Sequence, residues 1–210
     1  MYIPKAFKEP DTGVILAFMR AHSLAIVVST IDGIPFATHV PVLVRTDDEA
    51  DGVRITLAGH VALANPQART IDGTEALVIF SGPNAYVSPS LYEEREAVPT
   101  WNYIAVHAYG VAKTFTAKQD AEKTENVLRQ SIDDFDPAYA TQWETLPATY
   151  RNARMRELAG FNIAVSRLEG KFKLSQNRSV TDQHTVAEAL QKSADPAAVA
   201  VGKCMRDRLG

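Results

Sequence analysis

Cysteine is nearly absent from this chain: Cys204 stands alone among 210 residues. No internal disulfide can form, which excludes a small disulfide-held scaffold and fits a reducing compartment. Positive charge is not in excess either. Lys and Arg number 22 against 25 Asp and Glu, a net charge of −3, so no global field recruits nucleic acid or an anionic membrane. No apolar run approaches the ~18 residues of a membrane span. The opening MYIPKAFKEPD has no apolar h-region, so no secretory signal is expected, and the chain reads as cytoplasmic. In that setting the match of Asn177-Arg178-Ser179 to a glycosylation acceptor is chance.

Catalytic motifs are scarce as well. The five histidines (His22, His39, His60, His107 and His184) are scattered without HxxxH or HExxH spacing, so no metal site is indicated. Ser88 and Ser90 lie in SPS with no nucleophile elbow around them, and no paired carboxylates stand out. No catalytic residue is assigned.

What is present is a hydrophobic fraction of 46%, typical of a globular chain. The length suits one domain with a helical appendage. Asp11 or Thr12 is placed to cap a first helix running to about Ala21, and LAIVVSTI (Leu24 to Ile31) is a β-branched run. Asp32-Gly33 signals a hairpin turn into a long strand, Ile34 to Arg45. Thr46 to Gly52 reads as a solvated acidic loop and Val53 to Ala58 as another strand. GHVALANPQ then reads as a tight turn feeding a short helix closed near Pro66. Ala76 to Phe80 is a covered strand, Gly82-Pro83 a corner, and Ala85 to Val87 a further strand.

After a loop from Ser88 to Val98, the strand beginning in VPTWNYIAVHAYG extends to about Thr116. Helix is expected over Ala117 to Phe135 and Pro137 to Leu158, then strands over Gly160 to Leu168 and Gly170 to Leu174. Two helices follow Ser179, the second opened by Asp195 as cap and Pro196. Hairpin-linked strands broken by helical insertions, without a Gly-rich βα turn, argue against a doubly wound parallel sheet. They fit a mainly β, α+β architecture: a small antiparallel barrel of six or seven strands with helices outside.

Three stretches mix polar groups into strand-like sequence: ATHVPVL, GHVALANPQ and PTWNYIAVHAYG. Buried polar groups need partners, and a flat ligand with a polar edge is a suitable one. With MYIPKAF, IFSGPNAYVSPSLY and GFNIAVSRLEGKFKLSQNR in the same order, these segments resemble the PaiB family of FMN-binding negative transcriptional regulators, from Met1 to about Arg178. One departure is Ala68, where a large residue, often Trp, is expected after NPQ.

The resemblance implies the FMN-binding split barrel related to pyridoxamine-phosphate oxidase. It implies FMN as cofactor and a homodimer with flavin at the subunit interface. Residues 1–178 would form the barrel domain, including a helical insertion over 117–158, and residues 179–210 a helical extension packed on it. The implied role is repression of transcription, with flavin as ligand or redox sensor. An FMN-dependent oxidoreductase acting on a small substrate is the alternative, and a vestigial site or one for another flat cofactor such as haem or a deazaflavin is a third reading.

FMN needs phosphate donors, an apolar slot and partners for the ring edge. Thr38 is a candidate for phosphate, His39 for the ring edge, and Val40 and Pro41 for the ring face. Gly59 and His60, read as preceding a helix N-terminus, are candidates for phosphate, as is Asn65; Gln67 either does the same or braces the turn. Trp101, Asn102 and Tyr103 are candidates for the ring or the dimer partner, and His107 reads as a core or interface histidine. Alternation sets Lys171, Lys173 and Ser175 on one strand face; Lys173 is a candidate for phosphate and Gln176 for the flavin edge.

The last two helices have a link of helix-turn-helix length, and the second carries Lys203, Arg206 and Arg208. The usual glycine turn is missing, however, and basic residues in a last turn also suit the helix dipole. DNA contact therefore draws support from neither charge nor motif.

Overall fold

The structure, a computed structural model, describes residues 1–49 and 52–210. Its elements in chain order are α1 (Thr12–Ala21), β1 (Leu24–Ile31), β2 (Ile34–Pro41), β3 (Leu43–Glu49), β4 (Gly52–Ala62), α2 (Gln67–Thr70), β5 (Glu75–Val87), β6 (Thr100–Thr116), α3 (Ala121–Phe135), α4 (Ala140–Thr145), α5 (Ala148–Met155), β7 (Leu158–Lys173), α6 (Val180–Gln191) and α7 (Pro196–Leu209). The seven strands form one sheet in the order β2-β1-β5-β6-β7-β4-β3. The registers of β1 with β2 and β5, and of β4 with β3 and β7, are all antiparallel.

The chain divides into two compact units that do not follow its linear order. One comprises Met1–Phe18, Ser81–His107 and Glu169–Gly210; the other comprises Met19–Phe80 and Ala108–Leu168.

The second unit takes a segment from every strand and holds the barrel. β2 and β3 stand at opposite ends of the strand order, yet only Val42 separates them in the chain. One residue bridges only a few ångströms (~3.8 Å per Cα step), so the two ends of the sheet must meet. The sheet therefore curls into a barrel that is split between β2 and β3. Leu57, Val78, Phe80 and Ile163 are fully enclosed and form its core. The β1–β2 hairpin turns on Asp32 and Gly33, at φ 51° and 81°. Both central residues of the turn are left-handed, as the twist of a two-residue hairpin demands.

The first unit packs α6 and α7 against each other through Val186, Ala187, Leu190, Ala198, Val201 and Met205, all buried. Ser179 caps α6 by accepting from the Asp182 amide at 3.1 Å, and Asp195 caps α7 by accepting from the Ala197 amide at 2.9 Å. Asp11 caps α1 through the Gly13 amide at 2.7 Å. Phe18 meets Phe172 edge-on, with centroids 5.5 Å apart.

Several expectations are corrected. The strand expected over 34–45 breaks at Val42, because the sheet closes there. The acidic stretch expected as a loop is strand to Glu49 and again from Gly52, with Glu49 paired to Gly52; residues 50 and 51 lie outside the described residues. Gly82-Pro83 makes no corner: β5 runs straight through. Its pairing with β1 covers Leu77 to Ile79, so the proline, which lacks an N–H, lies past that register. Likewise β7 is one strand through Glu169-Gly170. α3 begins at Ala121, after a turn capped by Asp120, and the helix expected over 137–158 is a 3-10 turn followed by α4 and α5, parted by Pro147.

Candidate functional site

The candidate residues fall into two groups, one in each unit. In the barrel unit are Thr38, His39, Val40, Pro41, Gly59, His60 and Asn65. In the other are Trp101, Asn102, Tyr103, Lys173 and Gln176.

On β2, Thr38 and Val40 share the inward face, Val40 being buried. His39 and Pro41 are exposed on the other face. The four candidates on this strand are thus divided by the pleat. Asn65 joins Thr38 from across the unit: its Nδ2 donates to Thr38 Oγ1 at 3.0 Å, while its Oδ1 accepts from the Gln67 amide at 2.9 Å. Gln67 is almost fully enclosed and donates to Ser29 Oγ at 2.9 Å and to the Val27 carbonyl at 3.1 Å. Asn65 and Gln67 therefore brace the turn after β4 against β1 and β2. The Thr38 hydroxyl accepts from Asn65 and keeps its own hydrogen to donate.

Gly59 and His60 do not precede a helix. They lie within β4, opposite Phe161 and Gly160 of β7, and α2 starts only at Gln67, after Pro66. The helix-terminus phosphate site read from GHVALANPQ is thereby lost, and the reason for the glycine is different. A Cβ at Gly59 would stand 2.7 Å from the Phe161 ring and 3.0 Å from the Pro41 carbonyl oxygen. The glycine makes room for an aromatic core residue. His60 is half-buried, and burial lowers its pKa below the ordinary value of 6.5, so it is held as a neutral imidazole that can donate and accept. Ala68, at the position of the missing large residue, is buried.

In the first unit, β6 alternates cleanly. Thr100, Asn102 and Ile104 share one face, and Trp101 and Tyr103 the other. Trp101 is 54% exposed and meets Tyr86, 51% exposed, edge-on at 6.0 Å. Asn102 has no exposed surface. Its Nδ2 donates to Ser175 Oγ at 2.9 Å and to Met205 Sδ at 3.4 Å, tying β6 to α7 and to the end of β7. Gln176 turns back on its own strand, accepting from the Leu174 amide and donating to the Phe172 carbonyl. Its amide braces Ser175, which sits at φ 66°.

Lys173 donates to the Thr100 hydroxyl and the Trp101 carbonyl. Its ammonium pKa is lowered by burial first, then by the charges of Lys171 and Arg178. Lys171, set on the same face by alternation, is buried against the Tyr103 ring. Tyr86, Thr100 and Arg178 also belong to this surroundings. No local pattern singled them out, because they join it only through pairing of β6 with its neighbours and through the turn after β7.

Two arginines of α7 are engaged within the unit: Arg208 pairs with the buried Glu9 at 2.8 Å and Arg206 faces Glu188 at 3.7 Å. α6 and α7 form a packed hairpin whose buried face includes Ala198 and Met205. Among the described residues no group of His, Cys, Asp and Glu is arranged to hold a metal, and no helix is long and apolar enough to cross a membrane.

An antiparallel sheet that curls into a barrel split between its end strands is the architecture of the split-barrel class. Comparison with known proteins gives the family. A family model described as "Putative FMN-binding domain" matches residues 1–167. The protease synthase and sporulation protein PAI 2 of Bacillus subtilis is 38% identical over 210 residues, covering 100% of this chain and 98% of that protein. An uncharacterized protein of Aspergillus fumigatus is 26% identical, covering 99% and 97%. This chain belongs to that FMN-binding family, the family of PaiB. Two solved structures share the fold. The flavocytochrome Anf3 of Azotobacter vinelandii has a TM-score of 0.62 at 17% identity, covering 81% of this chain and 72% of that one. The FAD and heme binding protein of Mycobacterium smegmatis has a TM-score of 0.57 at 15% identity, covering 79% and 73%.

Proposed function

We propose that the chain is a flavin-responsive negative regulator of transcription that holds FMN as ligand or redox sensor and acts through a partner. The residues fit the group by the chemistry of their donors. Among the described residues Lys171 and Lys173 are cations without a carboxylate partner, Thr100 is a hydroxyl, and Trp101 and Tyr103 are rings on one strand face. Within one unit Lys173 would meet the polar parts of FMN, and Trp101 and Tyr103 its ring; Thr38 and His60 are the barrel unit's own polar candidates for FMN. FMN, when bound, supplies hydride or single-electron transfer.

The observation that carries the regulatory reading is the likeness, over the full chain, to a protein whose name ties it to protease synthesis and sporulation. Action through a partner follows from α7, whose Arg206 and Arg208 already face carboxylates. A homodimer in a reducing, cytoplasmic setting is part of the proposal. Val98, Trp101 and Tyr86, at 72%, 54% and 51% exposure, are large apolar side chains left to solvent in one unit, and such patches suit a second subunit.

The engagement of α7 also favours a second reading, an FMN-dependent oxidoreductase. Simple hydride or electron transfer to flavin needs no separate acid or base. The test is a titration of cofactor-stripped protein with FMN and with riboflavin, followed by NAD(P)H oxidation and by light scattering for mass. Saturable FMN binding at one per subunit without NAD(P)H turnover supports the regulator. Steady turnover moves the conclusion to the enzyme, and no saturable binding overturns both.

A further inference from the structure

Lys171 is an ammonium group placed where the fold has little use for one. It lies on β7 at 8% exposure. Its Nζ donates to the Tyr2 carbonyl at 3.2 Å and stands 5.1 Å from the centre of the Tyr103 ring and 5.8 Å from that of Tyr2. Two residues on, Lys173 Nζ stands 5.6 Å from the centre of the Phe7 ring while donating to Thr100 and Trp101. Arg178 adds a third cation, over the Tyr92 ring at 4.1 Å.

Three carboxylates of this unit are engaged by other cations. Glu169 pairs with the Met1 ammonium, Glu9 with Arg208, and Glu94 faces Arg178. Among the described residues neither lysine has a carboxylate within ion-pairing distance. Neutral carbonyls and ring faces offset only part of the cost of removing an ammonium from water. Two such groups on one strand face also repel each other. The arrangement is unfavourable for stability alone, and an anion delivered by a ligand would complete it.

We propose that Lys171 and Lys173 form an anion-recognising centre that holds negative charge of the bound flavin. This rests on the FMN reading and gives it a charged anchor in place of the helix terminus that the fold does not provide. The flavin offers this chemistry at two places. One is its phosphate monoester. The other is the N1–C2 carbonyl edge of the ring, which takes on negative charge when the flavin is reduced.

The experiment uses the full chain with Lys171→Met and Lys173→Met, which keep the aliphatic stems, and Lys171→Arg as the conservative control. Each is checked for a cooperative urea transition. Affinities for FMN and riboflavin and the midpoint potential of bound FMN are then measured. If the centre reads phosphate, the Met variants lose about tenfold or more in FMN affinity, with riboflavin unchanged. If it reads the ring edge, the potential falls and the preference for FMN over riboflavin stays. Restoration by Lys171→Arg supports either arm. Folded Met variants that match the native protein in both affinities and in potential would overturn the centre while leaving the FMN reading intact. A native protein that binds neither flavin would overturn the FMN reading itself.

Discussion

Two polar clusters in this molecule are built on opposite principles. In the barrel unit, Asn65, Gln67 and Ser29 are hydrogen-bonded to one another and to strand carbonyls, and the groups left with donors to offer, Thr38 and His60, are neutral. In the other unit, Lys171 and Lys173 carry charge into partial or full burial and meet no carboxylate among the described residues. The bonds among Asn65, Gln67 and Ser29 are explained by the fold that they brace. The two lysines are not, and the difference separates hydrogen-bonded groups that build the barrel from charged groups with capacity left for a ligand.

The comparison can be broken at its structural end first. Gln67→Ala removes hydrogen bonds to Ser29, Val27 and Phe36 and leaves a cavity, with an expected loss of about 3 kcal/mol in urea unfolding. The folded fraction should bind FMN as before. Retained stability with lost FMN binding would place Gln67 in the site instead.

Gly59→Ala is expected to cost about 2 kcal/mol, since the new methyl meets the Phe161 ring and the Pro41 carbonyl. A shrinking partner at Phe161 (Phe161→Leu) should recover part of that loss in the double variant. An additive double variant would show that the glycine serves something other than Phe161.

The Thr38→Ala, His60→Ala double variant removes two neutral donors and should weaken FMN binding by about fivefold to tenfold while the protein stays folded. Unchanged affinity would confine the barrel cluster to bracing.

The smallest effect is one of pH. His60 has its folded pKa depressed by burial, so the unfolded chain binds the proton more readily. Stability contributed by neutral His60 is complete above about pH 6.5, the unfolded value, and is lost as pH falls from there through the depressed folded value. His60→Gln should flatten the stability profile over that range. An identical profile in the variant would assign the pH dependence to other groups.

The parts of the fold governed by neighbours in sequence could be read from sequence. The β-branched run of β1, the Asp32-Gly33 turn and the Asp195 cap all report local backbone preferences. The order of motifs supplied the rest of the barrel. Gly59 was misread because its reason is tertiary: nothing within GHVALANPQ reveals that Phe161 will lie against it. The break at Val42 follows from the sheet closing on itself, and the passage of β5 through Gly82-Pro83 from where its pairing with β1 stops. At the site, alternation correctly put Lys171 and Lys173 on one face. It could not show that Glu169, Glu9 and Glu94 would be engaged by other cations, and that is what gives Lys171 its meaning. Asn102, a candidate ligand group in the motif, has its Nδ2 engaged with Ser175 and with Met205 of α7.

The most direct test is urea unfolding of the native protein and Lys171→Met, each with and without saturating FMN. The two conditions are expected to give opposite signs. Without flavin the variant is more stable by about 1 kcal/mol, because a buried unpaired charge is gone. With flavin it gains less stabilisation than the native protein, because its affinity has fallen. A variant that is less stable without flavin, and equally stabilised by it, would contradict the account and make Lys171 a structural residue.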